Sequence, residues 1–222
     1  MPQWLLKQLE DNPAVSLLDK NLSDLPLTST IQEALVIATS YKHRPRSILV
    51  VKKNLYQAQR LYERISSFLE DDECALFASD ESLRVEAIAS SPGMSAIKVE
   101  TMSSLLENPH QVVVTCPSAL LRFLPSSENF NDCIINIKVG EEMNMDQLKT
   151  KAAALLENNA NAEIEADLDA LENHIFEKRM YPYTALLDHA SGIWEYMDTP
   201  VIILSDPSEV TASIKHFLED SI

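Results

Sequence analysis

Ser47-Ile-Leu-Val-Val-Lys-Lys-Asn-Leu-Tyr-Gln-Ala-Gln-Arg-Leu-Tyr-Glu-Arg-Ile-Ser-Ser-Phe-Leu69 is the stretch that decides the fold. Ile48 to Val51 form an unbroken run of branched apolar residues, the pattern of a parallel strand buried on both faces. The apolar period then changes. Leu55, Ala58, Leu61, Tyr62, Ile65, Phe68 and Leu69 fall on one helical stripe. Asn54 stands at the junction, where its side chain can accept from the first free amides of the helix. Strand followed by helix is half of a βαβ unit, and later segments repeat it at Val112–Thr115 with Pro117–Leu124 and at Val201–Leu204 with the helix to Leu218. The expected class is α/β: a degenerate RecA- or helicase-like parallel sheet flanked by helices.

In a nucleotide-binding fold of this class, the turn before such a unit carries a phosphate loop. Glycines let the backbone amides close around the anion, and a lysine supplies charge. Here the segment Leu25-Pro-Leu-Thr-Ser-Thr-Ile-Gln-Glu-Ala-Leu35 contains neither. Leu27, Thr28, Ser29 and Thr30 occupy the degenerate phosphate-loop position. The chain has three glycines in all, Gly93, Gly140 and Gly192, none near another. Asp206 and Glu209 follow the last strand, Val201–Leu204, read as buried, where an ATPase places its magnesium-holding acid. Acids in that position also cap the following helix. Without a phosphate loop the capping role is the expectation.

No catalytic constellation emerges elsewhere. The five histidines are dispersed without metal-ligand spacing. A serine nucleophile lacks its glycine elbow. Cys116, between a strand and Pro117, is the one position suited to a thiol nucleophile, but a buried structural thiol is the expectation. An odd count of three cysteines, Cys74, Cys116 and Cys133, fits neither a disulfide framework nor a zinc site and suits a reducing cytoplasm. No apolar run is long enough to span a bilayer. The formal charge of −16, from 34 acidic and 18 basic residues, argues against direct nucleic-acid binding. The densest basic cluster, Lys42-His-Arg-Pro-Arg46, reads as a solvated turn. The scattered aromatic residues Tyr56, Tyr62, Phe68, Phe123, Trp194 and Tyr196 read mostly as core, with Trp4 on an apolar arm that could dock.

Along the chain, residues 1–24 read as an N-terminal helical arm broken at Pro13, and 25–140 as the first part of the α/β domain. Within it, Thr28 or Ser29 caps a helix to about Tyr41. A short strand runs over Cys74–Ala78, Pro92-Gly93 interrupts a polar stretch before a helix over 96–107, and Cys133–Ile137 is a further strand. Residues 141–183 read as a helical segment and 184–222 as the return strand and closing helix.

The order of these segments resembles the N-terminal, UvrB-like module of the bacterial transcription-repair coupling factor, Mfd. Leu49-Val-Val-Lys-Lys-Asn-Leu-Tyr-Gln-Ala-Gln59 is similar to that family's strand–asparagine–helix block. Ala89-Ser-Ser-Pro92 and Val112-Val-Val-Thr-Cys-Pro-Ser-Ala-Leu-Leu-Arg-Phe-Leu-Pro125 follow in order. So do Ile137-Lys-Val-Gly140, Thr184-Ala-Leu-Leu-Asp-His189 and Ile202-Ile-Leu-Ser-Asp206. The resemblance implies a helicase relic that keeps the sheet and lacks a working ATP site. It needs no cofactor and acts as a non-catalytic scaffold in transcription-coupled nucleotide-excision repair. It also implies protein partners: the excision-repair protein UvrA, and the motor and polymerase-binding regions of a coupling factor that is itself similar to ATP-dependent DNA translocases. The family's second subdomain, which carries the UvrA contact, has no counterpart between Gly140 and Thr184, so no UvrA-contacting residue is carried over. The rival expectations are a divergent ATPase or helicase fragment using Asp206, and a free-standing interaction protein without a repair role.

Overall fold

The computed structural model describes residues 3–20, 25–27, 29–78, 92–122, 124–133 and 191–219. Two short helices come first, α1 (Gln3–Glu10) and α2 (Pro13–Asp19). Pro13 begins α2, where its missing N–H costs nothing, and the Asn12 side chain accepts from Ala14 N at 2.9 Å. Helix α3 (Thr30–His43) leads to β1 (Ile48–Val51), α4 (Leu55–Ser66) and β2 (Cys74–Phe77). Next come α5 (Pro92–Glu107), β3 (Val112–Thr115), the single turn α6 (Pro117–Leu120) and α7 (Ser127–Cys133). A 3₁₀ turn (Ile193–Tyr196), β4 (Val201–Leu204) and α8 (Pro207–Glu219) close the described chain.

The four strands form an all-parallel sheet in the order β2-β3-β1-β4. Ile48, Leu49, Val50 and Val51 are 0–1% exposed, as expected of a strand between two others with helices on both faces. The chain moves one way across the sheet from β1 to β2 and back from β2 to β3. Right-handed crossovers then put α4 and α5 on opposite faces. Ala58, Leu61 and Ile65 of α4 are fully buried, and Asn54 Oδ1 accepts from Gln57 N at 3.0 Å. The expected α/β layer and its first unit are therefore present as read. The chain divides into two compact units, Met1–Arg122 with Gly192–Ile222, and Phe123–Ser191. In the second, α7 and the Leu124–Ser191 antiparallel bridge are described.

Several local expectations fail for physical reasons. Pro92 starts α5 rather than interrupting a loop, because proline suits the first turn of a helix as well as a break. Helix α6 stops at Leu120, well short of Leu124. Cys133 ends a helix instead of beginning a strand; residues 134–137 lie outside the described residues, as do the expected helices over 146–177 and the Thr184–His189 segment. Tyr56 and Trp194 are 67% and 41% exposed rather than core. Trp194 instead folds back over Gly192, where the ring occupies the space a Cβ would need.

The basic cluster also departs from the reading as a solvated turn. The carboxylate of Asp19, at the end of α2, accepts from Ser40 Oγ at 2.5 Å and lies 3.0 Å from His43 Nδ1 and 3.5 Å from a guanidinium nitrogen of Arg46. Arg46 also donates to Leu18 O at 3.0 Å, and burial lowers its pKa from the ordinary arginine value. Lys42 pairs with Glu73 at 2.6 Å. Only Arg44 and His43 of the cluster's charged residues remain exposed. Val15 and Leu18 of α2 are buried in the same region, so the cluster fastens the helical arm to α3.

Two tests follow from this packing. Val50→Asp places an unpaired charge at a fully buried position, a cost of about 5 kcal/mol or more, enough to abolish cooperative unfolding. A soluble variant with an unchanged melting temperature would remove β1 from the core. The second concerns high pH: the Tyr41 hydroxyl, which donates to His110 O at 2.7 Å, loses that bond when it ionises. Burial first, then Glu73 and Asp72, pushes its pKa up to about 12. Burial likewise pushes the Cys74 thiol up to about 12. Both folded values are raised, so their contribution is complete below the ordinary values of 9.0 and 10.0 and is lost as pH rises toward 12. The urea midpoint should fall across that window, and Tyr41→Phe with Cys74→Ala should flatten the fall.

Candidate functional site

In a parallel α/β sheet the ligand edge is the one at the carboxyl ends of the strands. Here β1 delivers Lys52 and Lys53 to that edge, and β4 delivers Ser205 and Asp206 beside them. The amino end of α3 completes the corner. Ser29, the cap of α3, accepts from Gln32 N at 3.4 Å, and Glu33 N donates to Ser29 O at 3.1 Å. Of the first-turn amides that would face a phosphate, Gln32 N–H thus has a partner within the turn.

At the centre lies a pair that no periodicity announced. Lys52, 8% exposed, donates to Glu33 Oε2 at 2.9 Å and to Ser205 Oγ at 2.5 Å. Glu33 is 9% exposed and sits in the first turn of α3. A carboxylate there is stabilised both by the ammonium and by the positive end of the helix dipole. The corner is thus a buried acid–base–hydroxyl network, neutral in sum, at the position where a phosphate loop would hold an anion.

The expected site residues divide around this network. Ser29 acts as a cap, Thr30 opens α3, and Leu27 forms a tight turn through its N–H to Leu25 O at 2.8 Å. Thr28 lies outside the described residues. Asp206 accepts from Ser208 Oγ at 2.8 Å and from Glu209 N at 3.4 Å, and these bonds, with Lys53 and Lys52 nearby, lower its pKa from the usual carboxylate value. It does so with φ of 59°, a left-handed backbone that aspartate tolerates better than most side chains. Glu209 pairs with Lys53 at 2.7 Å, and Lys53 O accepts from Ser213 Oγ at 2.7 Å. Asp206 and Glu209 are both exposed and both engaged at the start of α8.

Glu33, Lys52 and Ser205 were missed in the sequence. The available signal was a lysine pair directly after a four-residue apolar strand, which puts one ammonium on the buried side. Cys116 is buried, with its sulfur 3.2 Å from Ser118 Oγ. Among the described residues no group of three or more His, Cys, Asp or Glu could hold a metal ion, and no helix is long and apolar enough to cross a membrane.

Fold and corner together define a RecA-like α/β layer that carries the Lys52–Glu33–Ser205 network at the carboxyl ends of β1 and β4. No family model matches the chain. About half of it is similar to transcription-repair-coupling factors. The Bacillus subtilis protein is 29% identical over 106 residues, 48% of this chain and 9% of that protein. Those of Staphylococcus haemolyticus and Staphylococcus aureus are 25% and 23% identical over 119 and 116 residues. The chain spans about a tenth of the length of these curated relatives.

The network makes a stability prediction. Lys52→Met leaves the Glu33 carboxylate buried without its partner, a loss of about 3–5 kcal/mol, and adding Glu33→Leu should recover most of it. Urea unfolding of the single and double variants measures this, and a near-neutral Lys52→Met would mean that the pair is solvated. At the neighbouring turn, Asp206→Ala should lower the melting temperature more than Asp206→Asn, which keeps both an acceptor and a tolerance for the left-handed backbone.

Proposed function

We propose that the chain is a non-catalytic module of a transcription-coupled DNA repair factor, a helicase-like layer without a working ATP site that acts through protein–protein contacts. The relationship to transcription-repair-coupling factors supports the repair role. The observation that carries the non-catalytic part is Glu33 in the first turn of α3, paired with Lys52. A triphosphate arriving there meets a carboxylate where it needs bare amides, and a lysine already engaged. Asp206 and Glu209, the acids a magnesium site would use, are held by the α8 cap and by Lys53. The chain's charge of −16 opposes polyanions generally and turns the choice of partner toward proteins. The motor and polymerase-binding parts of a coupling factor are the proposed partners in the longer assembly. UvrA is a further one, if its contact extends beyond the subdomain this chain lacks.

Two titrations test the proposal. A fluorescent ATP analogue with magnesium, taken to millimolar concentration, should give no saturable signal. Saturable binding that Asp206→Asn weakens would make the chain a divergent nucleotide-binding fragment instead. Titration against purified UvrA, with a full-length coupling factor as positive control, then asks where recruitment resides. Binding by this chain would put part of that contact on its own α/β layer. No binding would confine this chain's contacts to the rest of the coupling factor.

A further inference from the structure

β4 is an outer strand of the described sheet. Val201 N–H donates to Ser47 O at 2.9 Å and Ser205 N–H to Val51 O at 3.0 Å. Along a parallel ladder the backbone groups alternate in direction, so the N–H and C=O of Ile202 and Leu204 point away from β1. Among the described residues no strand pairs with that edge. The side chains of the same two residues stay in water: Ile202 is 58% and Leu204 43% exposed, whereas their register partners Leu49 and Val51 are each 1% exposed. Soluble chains usually blunt such an edge with lysine, proline or a bulge. Val201-Ile-Ile-Leu204 carries none of these. Its ends are set by two left-handed residues, Thr199 with φ of 45° and Asp206 with φ of 59°. Exposed acids stand at both ends as well: Asp198 before the strand, 62% exposed and 3.7 Å from His110 Nε2, and Asp206 after it, exposed while it caps α8.

We propose that the β4 edge takes up an extended segment of a partner protein by strand addition, a segment with apolar residues at alternate positions and lysine or arginine at its ends. The open N–H and C=O groups of Ile202 and Leu204 supply the ladder, and the two exposed side chains supply an apolar contact on one face. The acids at the strand ends select the charge. A second copy of this chain is the wrong occupant. Antiparallel pairing of β4 with itself sets Asp206 of one copy beside the Asp198–Thr199 end of the other, and it brings together two chains of −16. The inference deepens the protein-contact reading above and rests on it only for the partner being a protein.

The test uses the full chain and a labelled synthetic peptide, KKVTVTVTKK, beside its acid-flanked counterpart EEVTVTVTEE. The basic peptide should bind saturably, at least about tenfold tighter than the acidic one, and more weakly as salt rises. Hydrogen exchange should slow at the amides of Ile202 and Leu204 in the complex. Leu204→Pro removes an outward N–H and no bond to β1, so it should cut affinity about tenfold or more at an unchanged melting temperature. Ile202→Lys tests the same edge without altering the backbone. Absence of saturable binding, or equal binding of both peptides, overturns the proposal. So does self-association by sedimentation with protection of Ile202 and Leu204 that grows with protein concentration, which would make a second copy the occupant. The nucleotide titration reads a different corner, so failure of the edge and failure of the non-catalytic reading are separable.

Discussion

An ammonium group taken out of water has to be met by a carboxylate and further acceptors, and the corner of this fold is arranged around that demand. Lys52 sits at the end of the central strand, too buried to reach bulk solvent. Its carboxylate comes from Glu33, 19 residues earlier on α3, and its hydroxyl from Ser205, 153 residues later beyond β4. Moving α3 along its axis, or slipping β4 in register, would strand the charge. Removing one member of such a network costs far more than the network contributes against an apolar equivalent, so it acts chiefly to specify one arrangement. The packing of β1 against β3 and α4 sets the core. The lysine sets how α3 and β4 meet it.

Much of the core was legible because its cause is local. Burial on both faces forces an uninterrupted apolar run, and Ile48–Val51 and Val112-Val-Val114 show one each. The change to a helical stripe at Leu55 and the cap at Asn54 need only near neighbours, and both are present. Partners distant in sequence leave no such mark. Lys52 and Lys53 look alike on the page, yet one is buried against Glu33 and the other half-solvated beside Glu209. Arg46 belongs to a cluster that reads as solvent-facing, and it lies under Asp19 because α2 folds back over α3. Pro92 shows the same limit, since proline marks a helix start and a chain break with the same residue.

Composition also conceals which strand is central. Ile48-Leu-Val-Val51 and Val201-Ile-Ile-Leu204 are interchangeable by hydropathy, yet one is wholly buried and the other alternates between half-buried and exposed. The difference comes from sheet order alone, which places β1 between β3 and β4 and leaves β4 outermost in the described sheet. An apolar strand in an edge position is therefore a feature that becomes visible only with the fold, and it is where an apolar composition becomes a surface property.

The corner and the edge answer one electrostatic question in opposite ways. The amino end of a helix beside a strand-end lysine is a region of positive potential, and either an external anion or an internal carboxylate can satisfy it. Glu33 satisfies it from within, and the lysine's remaining hydrogen-bonding capacity is taken partly by Ser205. Beside it, Glu209 is paired with Lys53, and Asp206 stands exposed at the start of α8. The chain as a whole carries a formal charge of −16. A carboxylate supplied from within takes the place an external anion could occupy, and β4, an outer strand of the same sheet, keeps the outward backbone groups of Ile202 and Leu204 beside that corner.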